Sequence, residues 1–338
     1  MARKTRQVKI TSQEKMALIN PSNMRLKNGF LTYMQSLQRS PGTIDGYNSD
    51  LNIVMTYILD NLGNKDFHKL TKRDIVSLQN WLVQNGNSSA RIRRVKSAIS
   101  SLSNYIENLL DDEPEYQGYH SIVRTIENPP LTPTREKTVW TDEELDALLD
   151  ALTESGEYEK ACYVALAMYS GRRKAELARF RVDDFDKNHV VCNGALYKSS
   201  PILTKGNTCL ECYVLKKKFD PYLKRWLQYR DEQGIVSEWL LPKHGNPEEQ
   251  IDVTTLNSWA NTFTRLTGRD WYAHSLRHYF VSALSRAGIP DSVIVDIVGW
   301  KSAEMFRIYN DNPKDDKISQ YFKDGDIDTS GVRTINEL

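Results

Sequence analysis

A proline-rich segment divides this sequence into two parts that we expect to fold separately. Residues 126–138 contain three prolines, and proline neither donates a backbone hydrogen bond nor continues a helix. Such a composition is typical of a linker. At 338 residues the chain is long enough for one domain on each side. The predicted organisation is a basic segment at 1–20, a helical domain at 21–125, the linker at 126–138, a second domain at 139–322 and a C-terminal tail at 323–338.

Charge is distributed unevenly between the two parts. The whole chain has a formal net charge of +1, but residues 1–105 contain sixteen Lys/Arg against six Asp/Glu, a balance of +10 that leaves −9 for residues 106–338. A basic surplus of this size favours a polyanionic partner such as a nucleic acid backbone. A solvated basic face beside an acidic domain explains the same counts, and this alternative stays open here.

Composition and the chain start exclude several classes of protein. With 40% apolar and 26% charged residues, the sequence is typical of a globular protein and not of a disordered one. It contains no apolar run of about 18 residues that could span a bilayer, and its basic start lacks the apolar stretch of a secretory signal. Four cysteines are too few for a disulfide scaffold. We therefore expect a cytoplasmic protein that contacts no membrane.

Apolar spacing predicts helices throughout the N-terminal part. Apolar residues recur in steps of three and four across 44–58, directly after Ser40, which suits an N-cap position. Thr71 and Asp74 form the pattern of a capping box that opens a second helix. A third apolar stripe follows across 92–106.

Four basic residues gather near the start of that third helix. Arg91, Arg93, Arg94 and Lys96 lie on faces away from its apolar stripe, interleaved with small residues. A helix N-terminus surrounded by arginines suits contact with phosphates. We predict that these four residues contact the phosphates of such a nucleic acid backbone.

The second part is predicted to be mostly helical with a small antiparallel sheet. Thr141 and Glu144 form another capping box, which opens this part. The runs 189–197 and 209–215 are rich in Val, Leu, Tyr and Cys and flank a turn-like stretch at 204–207, which predicts a β-hairpin. The predicted fold class is mainly α with a small antiparallel β-sheet.

Short motifs of the second part bring together side chains suited to phosphate chemistry. Two arginines stand at 172–173, His274 and Arg277 share one helix face, and Tyr309 follows Trp300 by nine residues. Arginine presents a planar fork to phosphate oxygens and keeps its charge near neutral pH. Histidine can transfer a proton near pH 7, and a tyrosine hydroxyl can form a covalent intermediate.

In this order and spacing the motifs resemble the tyrosine recombinases, the integrase family that cuts and rejoins DNA through a phosphotyrosine. Residues 170–177 match the family's first box, which assigns its catalytic arginine to Arg173 and puts Arg172 where the family has a hydrophobic residue. Residues 274–278 match its His-x-Leu-Arg-His box, and residues 298–300 match its Leu-Gly-His/Trp segment. The N-terminal helices resemble the family's SAM-like core-binding domain, so the resemblance covers nearly the whole chain.

The resemblance implies a mechanism. Tyr309 attacks the scissile phosphate and forms a 3′-phosphotyrosine, while a lysine in the hairpin turn protonates the leaving 5′-oxygen. Lys205 is the assigned lysine, and Lys198 is the alternative because it also lies between the strands. The implied catalytic residues are Arg173, Lys205, His274, Arg277, Trp300 and Tyr309.

The implied reaction needs no cofactor. The bond energy is stored in the phosphotyrosine, and the arginines supply the positive charge that a metal ion would otherwise bring, so neither ATP nor a metal is expected. The implied partners are double-stranded recombination sites and three further copies of the chain, which form a homotetramer on two duplexes. An accessory directionality factor fits the same scheme.

Other interpretations stay open from the sequence. The enzyme could be the integrase of a mobile element or a host recombinase, because both use the same site. A type IB topoisomerase shares the chemistry, and a regulator that binds DNA without cleaving it is the alternative from another class. Two pairs, His189 with Cys192 and Cys209 with Cys212, imitate zinc-ligand spacing. Residues three apart on a strand face opposite sides, so we expect apolar hairpin cysteines there instead of a zinc site.

Overall fold

The computed structural model divides the chain into two compact units, with the boundary between Glu136 and Lys137. This boundary lies inside the segment 126–138. Lys205, the first nine residues and most of the C-terminal tail lie outside the described residues, so the predictions made for them stay predictions. The structure describes residues 10–132, 136–204 and 208–313, together with the backbone of 322–323 and 326–327.

The described part of the N-terminal unit is entirely helical. Ser40 caps its third helix, and Thr71 with Asp74 forms the capping box of the fourth, so both sequence predictions are confirmed. A single 3₁₀ turn at Phe67–Lys69 precedes that fourth helix. The α-helices are α1 (Gln13–Leu18), α2 (Pro21–Ser36), α3 (Pro41–Asn61), α4 (Lys72–Gln84) and α5 (Ser89–Leu109).

Apolar faces of α2 to α5 form the core of this unit. The run Leu51–Ile58 of α3 is buried almost completely, and α5 contributes the stripe from Ile92 to Ile106. Asn23 on α2 is also buried, and its amide accepts the backbone N–H of Phe67 at 2.7 Å and donates to the carbonyl of Lys65 at 2.9 Å. This side chain satisfies backbone groups that no helix ladder pairs.

The C-terminal unit is built around α7. All ten residues from Ala161 to Ser170 are buried, which is the pattern of a helix packed on every side. No helix of the described ranges, α7 included, is long and apolar enough to cross a membrane. The helices of this unit are α6 (Asp142–Glu154), α7 (Tyr158–Ser170), α8 (Lys174–Leu177), α9 (Lys216–Gln233), α10 (Val253–Thr267), α11 (Ala273–Arg286), α12 (Asp291–Val298) and α13 (Glu304–Tyr309).

Short antiparallel strands complete this unit. β1, β2 and β5 form one sheet, and β3 pairs with β4, β6 with β7 and β8 with β9. The strands are β1 (Val190–Val191), β2 (Leu196–Lys198), β3 (Ile202–Leu203), β4 (Cys209–Leu210), β5 (Tyr213–Leu215), β6 (Pro242–Lys243), β7 (Asn246–Gln250), β8 (Phe322–Lys323) and β9 (Asp326–Ile327).

The predicted hairpin around 204–207 is present, but its two runs are not single strands. The run 189–197 turns back on itself between β1 and β2, where Cys192, Asn193 and Gly194 all have positive φ. Asn-Gly is the dipeptide that best tolerates this left-handed backbone. The run 209–215 is also divided, into β4 and β5. Between them the Cys212 N–H donates to Oγ of Ser199 instead of to a backbone carbonyl, while the Ser199 N–H donates to the Cys212 carbonyl. The backbone ladder is therefore interrupted between the β2–β5 and β3–β4 pairs.

Gly171 ends α7 at a position that excludes a side chain. Its φ is +60°, and a β-carbon there would lie 2.4 Å from Cδ1 of Phe280. We expect Gly171→Ala to destabilise the protein by about 1–2 kcal/mol for the left-handed backbone and by about 1–3 kcal/mol more for the clash. Urea denaturation measures both effects together.

Gly156 provides the matched control for this substitution. Its φ is +74°, and nothing lies within 4 Å of the β-carbon that alanine would add. Gly156→Ala should therefore show the backbone cost alone. Equal losses of unfolding free energy in the two variants would contradict the predicted clash with Phe280.

Candidate active site

The C-terminal end of α7 leads directly to the two arginines of the first motif. After Gly171 turns the chain, the carboxylate of Glu176 accepts the backbone N–H of Arg173 at 3.1 Å and its Nη1 at 2.9 Å. The Glu176 side chain is 2% exposed and that of Arg173 is 40% exposed. The buried carboxylate therefore orients Arg173 while the rest of its guanidinium stays accessible.

Arg277 on α11 is a fully buried cation. Its Nη1 donates to the carbonyl of Gly171 at 2.9 Å, and its guanidinium carbon lies 5.2 Å from the Trp300 ring and 5.5 Å from the Tyr309 ring. Its Nε and Nη2 are buried and have no hydrogen-bond partner within the described part of the chain. Burial, followed by the charge of Arg173, lowers the pKa of Arg277 to about 10, which still leaves it charged at neutral pH.

His274 and Tyr309 are joined by a short hydrogen bond. The Tyr309 hydroxyl lies 2.6 Å from Nε2 of His274, and the two rings meet edge to face at 5.0 Å. Burial, followed by the charges of His278 and Arg277, lowers the pKa of His274 to about 4. The imidazole is therefore neutral at pH 7, and an unprotonated Nε2 can accept the tyrosine proton.

Trp300 lines the same site from the end of α12. Gly299 ends that helix with φ +69°, and the next residue turns inward so that the Trp300 ring lies 4.9 Å from the Tyr309 ring. The Trp300 Nε1 is buried and has no partner among the described residues. Leu210 of β4 packs against the turn, since a β-carbon on Gly299 would lie 2.2 Å from its Cδ2.

Arg172 holds that turn in place. It is 1% exposed, and its Nη2 and Nη1 donate to the carbonyls of Ile297 and Val298 at 2.5 and 3.3 Å. A cation at the C-terminal end of a helix also interacts favourably with the helix dipole. A buried arginine therefore stands at the box position where the resemblance leads one to expect a hydrophobic residue, and it connects the first motif to α12.

The site presents several open donors beside one hydroxyl. Nε and Nη2 of Arg277 and Nε1 of Trp300 are buried without partners in the described ranges, and Arg173 lies close enough to depress the pKa of both Arg277 and His274. Leaving buried donors unpaired costs free energy. An anion with several acceptor oxygens is the ligand that would satisfy them, and a phosphodiester fits that description.

Of the two candidate lysines, only Lys198 lies within the described residues. Lys198 on β2 has its Nζ 2.6 Å from the carboxylate of Glu211. Lys205 lies outside the described residues, between β3 and β4. Five of the six residues assigned in the sequence are thus near one another, and the lysine assignment stays a prediction.

Comparison with known proteins identifies the family. Residues 138–315 match the phage integrase family, and residues 28–108 match the N-terminal SAM-like domain of phage integrases. The chain belongs to the phage integrase family. The predicted fold class is confirmed, since the chain is mainly helical with small antiparallel sheets and a SAM-like N-terminal domain.

Individual proteins of the phage integrase family have low sequence identity to this chain. The SPbeta prophage-derived recombinase-like protein YomM of Bacillus subtilis (strain 168) is 30% identical over 223 residues, which cover 64% of this chain and 64% of that protein. The XerH site-specific recombinase bound to a palindromic difH substrate matches with a TM-score of 0.65 and 17% identity, over 93% of this chain and 90% of that one. A lambda integrase tetramer bound to a Holliday junction matches with a TM-score of 0.62 and 14% identity, over 85% and 77%. Both structures share the fold.

Two of the predicted DNA-binding arginines in this phage integrase bind a buried carboxylate. Nη2 of Arg91 and Nε of Arg94 lie 2.9 and 2.8 Å from the two oxygens of Asp50, which is 3% exposed. Burial raises the pKa of Asp50, although the charge of Arg94 opposes that shift. The Arg94 side chain remains 55% exposed, so its outer N–H groups stay accessible while Asp50 fixes its orientation.

The other two predicted DNA-binding residues bond to the chain that follows α5. Nε of Arg93 donates to the carbonyl of Pro129 at 2.9 Å. Lys96 is buried, and its Nζ donates to the carbonyl of Ile126. The expectation that Lys96 lies on an open basic face is therefore wrong, because its ammonium instead satisfies a backbone carbonyl.

One group outside this site has the donor set of a metal centre. Asp66, His68 and Glu115 of the N-terminal unit place ligand atoms within 4.8 Å of one another, and no other such group occurs among the described residues. Asp66 already pairs with Lys69 at 2.7 Å, and Glu115 accepts the Ser22 hydroxyl at 3.0 Å. These contacts account for both carboxylates.

The structure adds residues that sequence reasoning missed. Arg172 was noted only as a departure from the box, and Lys137 and Asp311 were not considered. Asp311 lies two residues after Tyr309 and pairs with Lys137. The sequence could have pointed to Asp311 only through its position two residues after Tyr309. Its pairing with Lys137 could not be predicted, because the two residues are 174 positions apart.

The low pKa of His274 can be measured directly. We expect its imidazole to titrate near pH 4 in the DNA-free protein, because it is buried next to Arg277 and Arg173. In the unfolded chain it titrates at an ordinary value of about 6.5. The neutral ring therefore stabilises the fold above that value, and this contribution is lost as the pH falls toward 4. NMR of protein with isotope-labelled histidine measures the titration.

A His274→Gln variant assigns the resonance and serves as the control. It should also lose less stability than the wild type between pH 6.5 and 4. A His274 titration near 6.5 would contradict the prediction.

Proposed function

We propose that this chain is a site-specific DNA recombinase that integrates and excises a mobile element through a 3′-phosphotyrosine intermediate. The observation that carries the proposal is the Tyr309 hydroxyl, which lies 2.6 Å from Nε2 of His274 and beside buried Arg277 donors that have no partner within the described ranges. A nucleophile, a proton acceptor and a site for anionic oxygens are thereby combined.

In the cleavage step, the Tyr309 oxygen attacks the scissile phosphorus and the bond from phosphorus to the 5′-oxygen breaks. The tyrosine proton passes to Nε2 of His274, and Arg173 and Arg277 bind the non-bridging oxygens, where negative charge accumulates. The Trp300 indole N–H donates to one of these oxygens. In the joining step, a 5′-hydroxyl of the partner strand attacks the phosphorus and loses its proton to Lys205, which gave up a proton in cleavage. The bond from phosphorus to the Tyr309 oxygen breaks, and His274 returns the proton to that oxygen.

The bound phosphate itself makes His274 a better base. In the free protein the charges of Arg277 and Arg173 help to lower its pKa. A phosphodiester placed between these groups offsets their charge, so the imidazole gains affinity for a proton when DNA is bound. The arginines also supply the positive charge at the phosphate, and the reaction as proposed needs neither a metal nor ATP.

Lys205 is the proposed donor of a proton to the leaving 5′-oxygen. The two strands that flank it, β3 and β4, are fixed near the site through the packing of Leu210 against Gly299. Lys198, by contrast, already has a carboxylate partner in Glu211.

The proposed partners follow from the same reaction. Exchange between two duplexes needs four active sites, so we propose a homotetramer, which is also the form named for the lambda integrase structure. Arg91 and Arg94, oriented by Asp50, are the proposed phosphate contacts of the N-terminal unit. The prophage origin of YomM favours a mobile element over a host recombinase. All four cysteines are free thiols, which favours the reducing cytoplasm.

The nucleophile can be tested with nicked suicide duplexes taken from candidate junctions flanking the gene. In EDTA, the wild type should form a covalent protein–DNA adduct that survives SDS, and Tyr309→Phe should form none, because phenylalanine lacks the attacking oxygen. Denaturing gels measure the adduct.

Tyr229 lies on α9, outside the candidate active site, so Tyr229→Phe is the matched control and should behave as the wild type. An adduct that persists in Tyr309→Phe contradicts the assignment of the nucleophile and makes Tyr321, the next tyrosine in the sequence, the candidate to test. A specific gel shift without any adduct from the wild type would instead support a DNA-binding regulator without cleavage activity.

The two lysines can be separated with a duplex whose scissile 5′-bridging oxygen is replaced by sulfur. A thiolate leaves without being protonated, so this substrate does not need the acid. We expect Lys205→Ala to slow cleavage of ordinary DNA by about 10²- to 10⁴-fold and to cleave the sulfur substrate at nearly the wild-type rate. Lys198→Ala should cleave both substrates normally. Rescue of Lys198→Ala by sulfur would assign the acid to Lys198.

A further inference from the structure

The helix that carries Tyr309 is too short to fix the tyrosine by itself. α13 has six residues, Glu304–Tyr309, and the next residue, Asn310, is already extended. Helices of this length are marginal without tertiary contacts. The position of the Tyr309 hydroxyl therefore depends on what holds the chain on either side of it.

Lys137 contacts the chain on both sides of Tyr309. Its Nζ donates to the carbonyl of Ile308 at 3.2 Å and also pairs with the carboxylate of Asp311. Lys137 is the first residue of the C-terminal unit after the boundary. One ammonium group therefore bridges the residue before the tyrosine and the second residue after it.

Asp311 is itself held at several points. Its side chain is 7% exposed, its backbone N–H donates to Oγ of Ser282 at 2.8 Å, and its Oδ2 lies 3.5 Å from Nδ1 of His278. Burial alone would raise the pKa of Asp311, but its pairing with His278 and Lys137 outweighs that effect and holds the pKa below its ordinary value. The group is a buried carboxylate at neutral pH.

His278 carries the restraint to the tyrosine ring. The His278 and Tyr309 rings are stacked, with centroids 4.5 Å apart and an interplanar angle of 25°. Two series of contacts thus connect Asp311 to Tyr309, one through the His278 ring and one through Lys137 at the main chain. Neither Lys137 nor Asp311 contacts the tyrosine hydroxyl.

We propose that Lys137 and Asp311 are positioning residues that hold the Tyr309 hydroxyl in line for attack on the phosphate. The inference rests on the proposed recombinase function and extends it to two residues outside the family motifs found in the sequence. A displacement of about 1 Å at a reacting group can slow a reaction by about 100-fold, so a restraint on the nucleophile is worth much more to cleavage than to DNA binding.

The test compares two reactions of the same full-length protein. The first is adduct formation on the nicked duplex, which needs Tyr309. The second is joining of a 5′-hydroxyl to a strand that ends in a 3′-p-nitrophenyl phosphate, which needs the phosphate-binding residues but not the tyrosine. For Asp311→Asn and Lys137→Met we expect adduct formation to slow by about 10- to 100-fold, while joining stays within about twofold of the wild type.

Two variants serve as controls. Lys137→Arg keeps a cation that can reach both acceptors, and it should restore most of the adduct formation lost in Lys137→Met. Glu249→Gln removes the carboxylate of an exposed pair with Lys243 on the β6–β7 hairpin, and it should leave both reactions unchanged.

Each other outcome overturns the inference. If adduct formation and joining fall equally, the substitution has damaged the phosphate site or the fold and has no selective effect on the nucleophile. If neither falls, the restraint has no effect on catalysis. Failure of the proposed function has a different signature, because the wild type itself then forms no adduct, and that result overturns both proposals.

Discussion

The site depends on the burial of the Arg277 guanidinium, two of whose nitrogens have no hydrogen-bond partner in the part of the chain that the structure describes. Removing a charge from water costs several kcal/mol unless partners replace the lost hydration. Here the carbonyl of Gly171 is one partner, and the faces of Trp300 and Tyr309 are the next neighbours. The N–H groups on Nε and Nη2 of Arg277 can therefore donate to an anion. The charge of Arg277 also contributes to the low pKa of His274.

Cations that do not contact the phosphate in the proposed reaction keep this arrangement rigid. Arg172 donates hydrogen bonds to the carbonyl groups at the end of α12. Lys137 donates to the carbonyl of Ile308 and pairs with Asp311, on the two sides of Tyr309. Each joins segments that are far apart in sequence. Glycines at the ends of α7 and α12 let these segments approach, because Phe280 and Leu210 occupy the space of the missing side chains. The site is thus assembled from helix ends that are held by charge and close packing.

Local chemistry explains which features could be predicted from the sequence. The helix caps at Ser40 and Thr71 depend on residues within one helical turn, and the family motifs hold the candidate catalytic residues at a fixed spacing in the sequence. Both kinds of feature can therefore be recognised from the sequence. Lys96 was misjudged because an amphipathic pattern assigns lysine to solvent, whereas its ammonium meets a carbonyl 30 residues away. The Asn193-Gly194 turn was a local signal that could have been used. The partners of Arg172 lie 125 and 126 residues away, and no periodicity reports contacts of that kind.

The positive site lies in a part of the chain whose net charge is negative. The C-terminal unit, residues 137–338, has 27 Lys/Arg against 31 Asp/Glu, a balance of −4, and exposed carboxylates such as Asp142 and Glu143 contribute to it. Charges at the surface are screened within about 8–10 Å at physiological salt. Arg173 and Arg277, by contrast, would contact a bound phosphate directly, and they are partly shielded from water. An acidic exterior also weakens binding of a polyanion elsewhere on this unit. The net charge of a domain therefore says little about its ligand, and the arrangement of its buried cations says much more.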